Sequence, residues 1–234
     1  MVDKPGRRKK KHYPWGKVVG AVIVAILVVA TGWYIYDNYI YKAPPVYARI
    51  DTGLGSIGIE LFPSCAPQTV SNFIKLTDSG FYNDLVWHRI VNNFVIQTGD
   101  PNTRGGLNST RTTWGYGGSN TTVPLEVTAC PWLGTYEGYV AMARQGNSTY
   151  GLDTGTSQFF INLSNSSSNL SIVGQYTVFG KVISGWNVVE DIANKNNVCG
   201  STCPSSWPAD EPIKPVFIND IVILNTPPAT TTSG

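Results

Sequence analysis

Trp87-His-Arg-Ile-Val-Asn-Asn-Phe-Val-Ile-Gln-Thr-Gly-Asp100 is the stretch of this 234-residue chain whose residue types and spacing could do chemistry. Arg89 interrupts an otherwise apolar run, and Phe94 and Gln97 follow it. If Leu85–Ile90 and Phe94–Thr98 are strands joined by an Asn92-Asn93 turn, alternation puts Arg89, Phe94 and Gln97 around one concave surface. A planar cation and an amide would then stand beside an apolar pocket. The set contains neither a nucleophile nor a metal ligand. It suits gripping and twisting a peptide bond better than cleaving one. His88 suggests a general base, but alternation points it away from Arg89, and it reads as a packing histidine. No Gly-x-Ser-x-Gly turn is present to support Ser-His-acid hydrolysis.

Each of these residues also has a plainer reading. Arg89 could be a surface ion-pair arginine, Phe94 and Phe160 core aromatics, and Gln97 and Gln158 partners of backbone groups. What decides between the readings is the rest of the chain.

The first 17 residues hold Lys4, Arg7, Arg8, Lys9, Lys10, Lys11 and Lys17 against one acid, Asp3. Val18–Tyr36 then runs 19 residues without a charge. At about 1.5 Å per helical residue, that length approaches the roughly 30 Å of a bilayer's hydrocarbon core. Trp15 flanks one side, and Trp33, Tyr34, Tyr36, Tyr39 and Tyr41 the other, as interfacial aromatics do. The expectation is a basic cytoplasmic N-terminus (1–17) and a transmembrane signal-anchor (18–36). The domain that follows would be extracytoplasmic on a single-pass protein of the cell membrane. A cleaved signal peptide, cut near Val28-Val29-Ala30, is the rival reading, and it exports the domain as well.

Seven of the 17 Lys/Arg and two of the 15 Asp/Glu lie in residues 1–37, so the remainder carries ten and thirteen, a net −3. That mild acidity lacks the electrostatic footprint of a nucleic-acid binder. Six Asn-x-Ser/Thr sequons, at Asn108, Asn120, Asn147, Asn162, Asn165 and Asn169, follow the apolar span. A chain rich in Asn, Ser and Thr also makes sequons by chance, and Asn162 lies close to a strand. Cys199-Gly-Ser-Thr-Cys203 could close a small loop by a disulfide, with Cys65 and Cys130 offered as the other pair without support from spacing. Zinc is the competing use. With only His88 in the ectodomain and no second close cysteine pair, no metal site and no cofactor are expected.

A stalk over 37–45 ends in Pro44-Pro45, and 226–234 reads as a disordered tail. Between them, 46–225 is long enough for one domain. Val46, Ala48 and Ile50 alternate with polar neighbours, as do Ile57, Ile59 and Leu61, and Asp51–Gly55 marks a hairpin. Pro67–Asp78 carries Val70, Phe73, Ile74 and Thr77 at helical spacing between a proline start and Gly80. Tyr139–Ala143, Gln158–Leu163, Thr177–Val182 and Phe217–Leu224 read as strands and Trp186–Asn194 as a short helix. Residues 101–123, with Gly-Tyr-Gly-Gly at 115–118, read as a surface loop. Many short strands with two helices argue for a closed or nearly closed barrel whose ends the helices cover.

At this point the chain resembles the cyclophilin-type peptidyl-prolyl cis-trans isomerases, over roughly Val46 to Leu224. The similar segments come in the family's order. Ile59-Glu-Leu-Phe62 precedes Ala66-Pro-Gln-Thr-Val-Ser-Asn-Phe73. Phe81-Tyr82 leads into Trp87-His-Arg-Ile90 and Phe94-Val-Ile-Gln-Thr-Gly-Asp100. Val140-Ala-Met-Ala-Arg144 precedes Ser157-Gln-Phe-Phe-Ile161, and Gln175–Val182 resembles the prokaryotic style.

The resemblance implies a mainly β fold, an eight-stranded antiparallel closed barrel capped by two α-helices, here preceded by the transmembrane helix. It implies isomerisation of X-Pro bonds in proline-containing polypeptides, with Arg89 as the catalytic arginine. Phe94, Val95 and Phe160 would line the proline pocket, Gln97 and Gln158 place the substrate backbone, and Ala143 and Arg144 form the edge along the bound peptide. Where many members carry an aromatic or large apolar residue before Gly-x-His/Tyr, this chain has Leu170-Ser-Ile-Val-Gly174, so Ile172 would supply that wall. Val95 replaces a common methionine, and the Cys199–Cys203 insertion lies outside the pattern. The alternative is a non-catalytic module that docks Pro-peptides in a surface complex.

Overall fold

The computed structural model describes residues 15–35, 45–106, 110–145, 151–167, 171–194 and 210–228, and the chain divides into two units, 1–42 and 43–234. In the first unit, helix α1 (Trp15–Ile35, 21 residues) is the one described helix long and apolar enough to cross a membrane. Its side chains are exposed over Trp15–Tyr34 and apolar nearly all round. A helix in water would carry one polar face. It starts earlier than the charge-free run because Lys17 extends the turn without breaking it. The basic residues before Trp15, most of the stalk and the tail from 229 lie outside the described residues.

The second unit is built on eight strands: β1 (Val46–Thr52), β2 (Gly55–Leu61), β3 (Arg89–Val91), β4 (Val95–Thr98), β5 (Tyr139–Met142), β6 (Phe159–Asn162), β7 (Val178–Ser184) and β8 (Ile218–Leu224). The sheet is antiparallel in the order β3-β4-β6-β5-β7-β2-β1-β8. Its concave side encloses the main core, in which Ile50, Ile59, Phe73, Tyr82, Trp87, Ile96, Phe159 and Phe179 are fully buried. Alternation follows the sequence pattern: Ile96 and Ile161 turn inward, and Val95, Gln97 and Phe160 turn outward.

Helix α2 (Pro67–Asp78) occupies the expected span, buries Val70, Phe73 and Thr77, and packs on β8. Proline at its start needs no N–H partner. The Glu126 carboxylate accepts the next two orphan donors, Gln68 N–H at 3.1 Å and Thr69 N–H at 2.8 Å. Helix α3 (Trp186–Ile192) buries Val188, Val189 and Ile192 and packs on β2.

Two expectations need correction. The sheet is a curled half-barrel rather than a closed barrel, with β3 and β8 as its edges. Among the described residues, an isolated bridge, Val86 to Phe217, and a few bonds such as Trp87 N–H to Val216 O (3.0 Å) and Ile218 N–H to Leu85 O (2.8 Å) cross the seam. The strand expected over Leu85–Ile90 shrinks to Arg89–Val91 for a reason of its own. Threonine hydroxyls take both main-chain groups of Val86: Thr103 Oγ1 accepts its N–H (3.0 Å) and Thr98 Oγ1 donates to its C=O (2.9 Å). A residue satisfied by side chains has no groups left for a ladder.

Cys65 and Cys130 form a disulfide across 65 positions of sequence, tying the approach to α2 to the segment before β5. The Cys199–Cys203 pair lies outside the described residues. Asn162 is fully buried in β6 and donates through Nδ2 to Tyr139 O (3.2 Å), so its sequon is sealed.

Candidate active site

Backbone pairing alone assembles the centre of the site. Arg89 lies opposite Gln97 in the β3–β4 ladder, Gln97 opposite Phe160 in β4–β6, and Phe160 opposite Ala141 in β5–β6. Directly opposed residues project to the same face, so these four side chains form one row across the outer, convex side of the sheet. Val95, Ala141, Phe160 and Val178 are buried there beneath Phe62, Phe94, Leu133, Tyr139, Ala143, Ile172 and Tyr176, in a second apolar cluster. The site therefore sits on its own small core, on the opposite side of the sheet from the main one.

A pocket of about 90 Å³ opens on this cluster, lined by Arg89, Phe94, Val95, Gln97, Ala143, Arg144, Phe160, Ile172 and Tyr176. Every expected site residue except Gln158 lines it. Phe94 reaches it from the tight turn between β3 and β4, where Asn93 takes φ +58° and Phe94 N–H donates to Val91 O (3.0 Å). Asparagine tolerates that left-handed conformation better than most residues. The Phe94 ring centroid lies 6.0 Å from the Arg89 guanidinium carbon. Ile172 lines the pocket from just past Ser171.

Gln158 does not line that pocket. It is buried, and its Oε1 accepts Gln97 Nε2–H (2.8 Å) while its own Nε2 donates to Gly115 O (3.0 Å) and Gly117 O (2.6 Å). It therefore sets the Gln97 amide and pins the glycine loop. That loop is more than the surface feature its composition suggests. Gly115, Tyr116, Gly117 and Gly118 line a broad open cavity of about 720 Å³ beside the proline-sized pocket, with Thr154, Thr156 and Gln158 opposite. The fit is close: a Cβ on Gly117 would meet Asp100 Oδ1 at 2.1 Å, and one on Gly118 would meet Thr156 Oγ1 at 2.3 Å, so either side chain would have to shift.

Ala143 and Arg144 lie just past β5. Ala143 N–H donates to Gln158 O (2.8 Å), and among the described residues no protein group pairs with the Arg144 main chain. The Arg144 side chain has a role that its sequence position does not announce. Its Nε donates to Gln175 O (2.7 Å), and its guanidinium lies 5.2 Å from the Tyr176 ring centroid. Tyr176 in turn meets Phe160 edge-on at 5.2 Å. Tyr176 is the pocket residue that sequence reasoning missed, although it stands at the last position of Gly174-Gln-Tyr176, where the family pattern has His or Tyr.

Arg89 makes an ion pair after all, donating from Nε to Asp210 Oδ2 at 2.8 Å. His88 lies on the other face, buried with Asp100 and Gln158 among its neighbours and neither ring nitrogen in a well-formed hydrogen bond. Burial pushes its pKa down to about 4, against the opposing pull of the Asp100 carboxylate, so it is neutral at pH 7. No cluster of metal-ligating residues occurs among the described residues.

The family model for "Cyclophilin type peptidyl-prolyl cis-trans isomerase/CLD" matches residues 47–223. A "Peptidyl-prolyl cis-trans isomerase-like 2" of Neurospora crassa is 32% identical over 187 residues, 77% of this chain and 26% of that protein. The chain thus spans about a quarter of that relative's length. A "Peptidyl-prolyl cis-trans isomerase" of Acinetobacter baylyi is 39% identical over 148 residues, 62% of this chain and 71% of that one. The crystal structure of a cyclophilin type peptidyl-prolyl cis-trans isomerase from Cryptosporidium parvum superposes with a TM-score of 0.62 at 32% identity, covering 78% of this chain and 99% of that one. A second structure of that protein, in the presence of the dipeptide Ala-Pro, gives 0.60 at 32% identity over 76% and 98%.

Proposed function

Because this chain belongs to the cyclophilin-type peptidyl-prolyl cis-trans isomerase family, we propose that it accelerates X-Pro isomerisation, with Arg89 as the catalytic residue. The observation that carries this is the row Arg89–Gln97–Phe160, a cation and an amide beside a ring-lined pocket on one face.

Amide resonance sets a rotation barrier of about 18–20 kcal/mol. Uncatalysed X-Pro bonds therefore exchange in roughly tens to hundreds of seconds. At the twisted state resonance is lost, and the prolyl nitrogen gains a lone pair that accepts a hydrogen bond. A guanidinium N–H directed at that nitrogen binds the twisted state more strongly than either planar form, which is what lowers a barrier. Phe94, Val95, Phe160 and Ile172 hold the pyrrolidine ring by apolar contact. Gln97 and the Ala143–Arg144 edge hold the flanking chain while the preceding carbonyl swings. No bond is made or broken, no proton moves, and the chemistry calls for no metal or cofactor.

The substrates we propose are unfolded, proline-containing segments of exported proteins. Helix α1 supports an anchor: a 21-residue helix, charge-free from Val18 onward, directly after a basic cluster, with aromatics at both ends. The cluster on the N-terminal side supports, by the positive-inside rule, an isomerase domain outside the membrane. We also read Gln175–Val182 as prokaryotic in style. The deciding experiment is a protease-coupled prolyl peptide assay on the full chain in detergent, wild type beside Arg89→Ala. Catalysis in the wild type that the variant loses supports the isomerase. Peptide binding without turnover in the wild type would shift the reading to a docking module.

A further inference from the structure

We propose that Asp210 is a positioning residue for catalysis, orienting the Arg89 guanidinium toward the proline pocket; the proposal rests on the isomerase reading above. Asp210 Oδ2 accepts Arg89 Nε–H at 2.8 Å, and this is the one hydrogen bond of the Arg89 side chain within the described residues. A guanidinium is planar, so fixing Nε fixes the plane and leaves the Nη1 and Nη2 donors for the pocket that Arg89 lines. A free arginine explores many rotamers. An oriented one costs no reorganisation when the prolyl nitrogen becomes an acceptor.

Asp210 is itself held in place. Its carbonyl accepts the N–H of Ile90, the residue after Arg89, at 2.7 Å. The next two residues are gripped from the opposite direction by Arg111, whose Nη1 donates to Pro212 O (3.0 Å) and lies 3.5 Å from the buried Glu211 carboxylate. The acid is thus locked by main-chain and side-chain bonds to the strand whose arginine it orients. An ordinary surface pair would hang between two mobile side chains.

The two partners are 37% and 35% exposed, so the pair adds little to folding stability. Its effect lies in orientation, and that makes the test clean. The full chain in detergent is assayed with a prolyl peptide to separate kcat from KM, for wild type, Asp210→Ala, Asp210→Asn and Arg89→Ala, with thermal unfolding of each.

Asp210→Ala is expected to lose about tenfold in kcat with KM within about twofold, the signature of an interaction that acts at the twisted state. Asp210→Asn keeps an acceptor oxygen at the same place and is expected to stay within about threefold of wild type. The Arg89 Nε–H resonance should shift and exchange faster in the alanine variant and not in the asparagine variant. Wild-type kcat in Asp210→Ala while Arg89→Ala is inactive would overturn this role alone. So would an asparagine variant as slow as the alanine one. A wild-type chain with no rate above the uncatalysed one would sink the isomerase reading, and this role with it, before any variant is compared.

Discussion

Arg89 and Gln97 stand directly opposite each other on neighbouring strands, and Gln97 stands opposite Phe160 on the next. The cation, the amide and the ring thus share a face through backbone register, with no loop needed to bring them together. A slip of one residue in any of these strands would turn its member of the row to the wrong side. The Gln158 bonds to Gln97 and to the glycine loop oppose such a slip.

Arg89→Lys keeps the charge and removes the planar fork. If orientation of a donor matters more than charge, the lysine variant should fall nearly as far as alanine, about 100-fold in kcat/KM. Proline-peptide affinity, read by titration calorimetry, should change far less. A lysine variant close to wild type would show that charge alone suffices.

Tyr176 packs edge-on against Phe160 and under Arg144, so it supports the pocket wall and makes no contact that grows at the twisted state. Aromatic pairs of this kind contribute about 0.5–1.5 kcal/mol beyond burial. Tyr176→Ala should therefore raise KM by about two- to tenfold with kcat nearly constant. Tyr176→Phe should match wild type in the same assay.

His88 links stability to pH. Its pKa is about 4 in the fold, lowered mainly by burial, against about 6.5 when unfolded. Between those values the unfolded chain binds the proton and the folded chain does not, so stability is full above pH ~6.5 and falls as pH drops toward ~4. The shift corresponds to about 3 kcal/mol. Urea unfolding at pH 7, 5.5 and 4 should show this slope in wild type and a flatter one in His88→Gln. Equal slopes would place the pH sensitivity elsewhere.

The Cys65–Cys130 disulfide closes a loop of 65 positions that contains α2, β3 and β4. Chain-entropy arguments give such a closure about 4 kcal/mol. Reduction with dithiothreitol should lower the melting temperature of wild type and leave a Cys65→Ser, Cys130→Ser double variant unmoved. Leu133, three residues past Cys130, belongs to the apolar cluster beneath the pocket. Reduced protein below its melting temperature should therefore also show a raised KM for the prolyl peptide.

Much of this molecule is written in local pattern. Pro67 and Gly80 bound helix α2 because one lacks a donor and the other takes φ +68° at no steric cost. Alternation in β4 and β6 places Val95, Gln97 and Phe160 on the outward face, and the ordered motifs from Ile59 to Val182 carry the family. Of the pocket lining, Arg89, Phe94 and Gln97 could be named from alternation, and Val95, Ala143, Arg144, Phe160 and Ile172 from the resemblance to the family.

What only the tertiary structure decided are the links that bring in distant polar atoms. Asp210 reaches Arg89 across 121 positions, and Gln158 reaches the Gly115 and Gly117 carbonyls across 43 and 41. Such bonds depend on where whole segments come to rest, and they leave no period or spacing in the chain. The shortened β3 has the same origin. Two threonine hydroxyls claim Val86, a competition between side chain and ladder that hydrophobic alternation does not record. Local periodicity thus determined that Arg89, Gln97 and Phe160 share one face, and long-range hydrogen bonding decided how they are held.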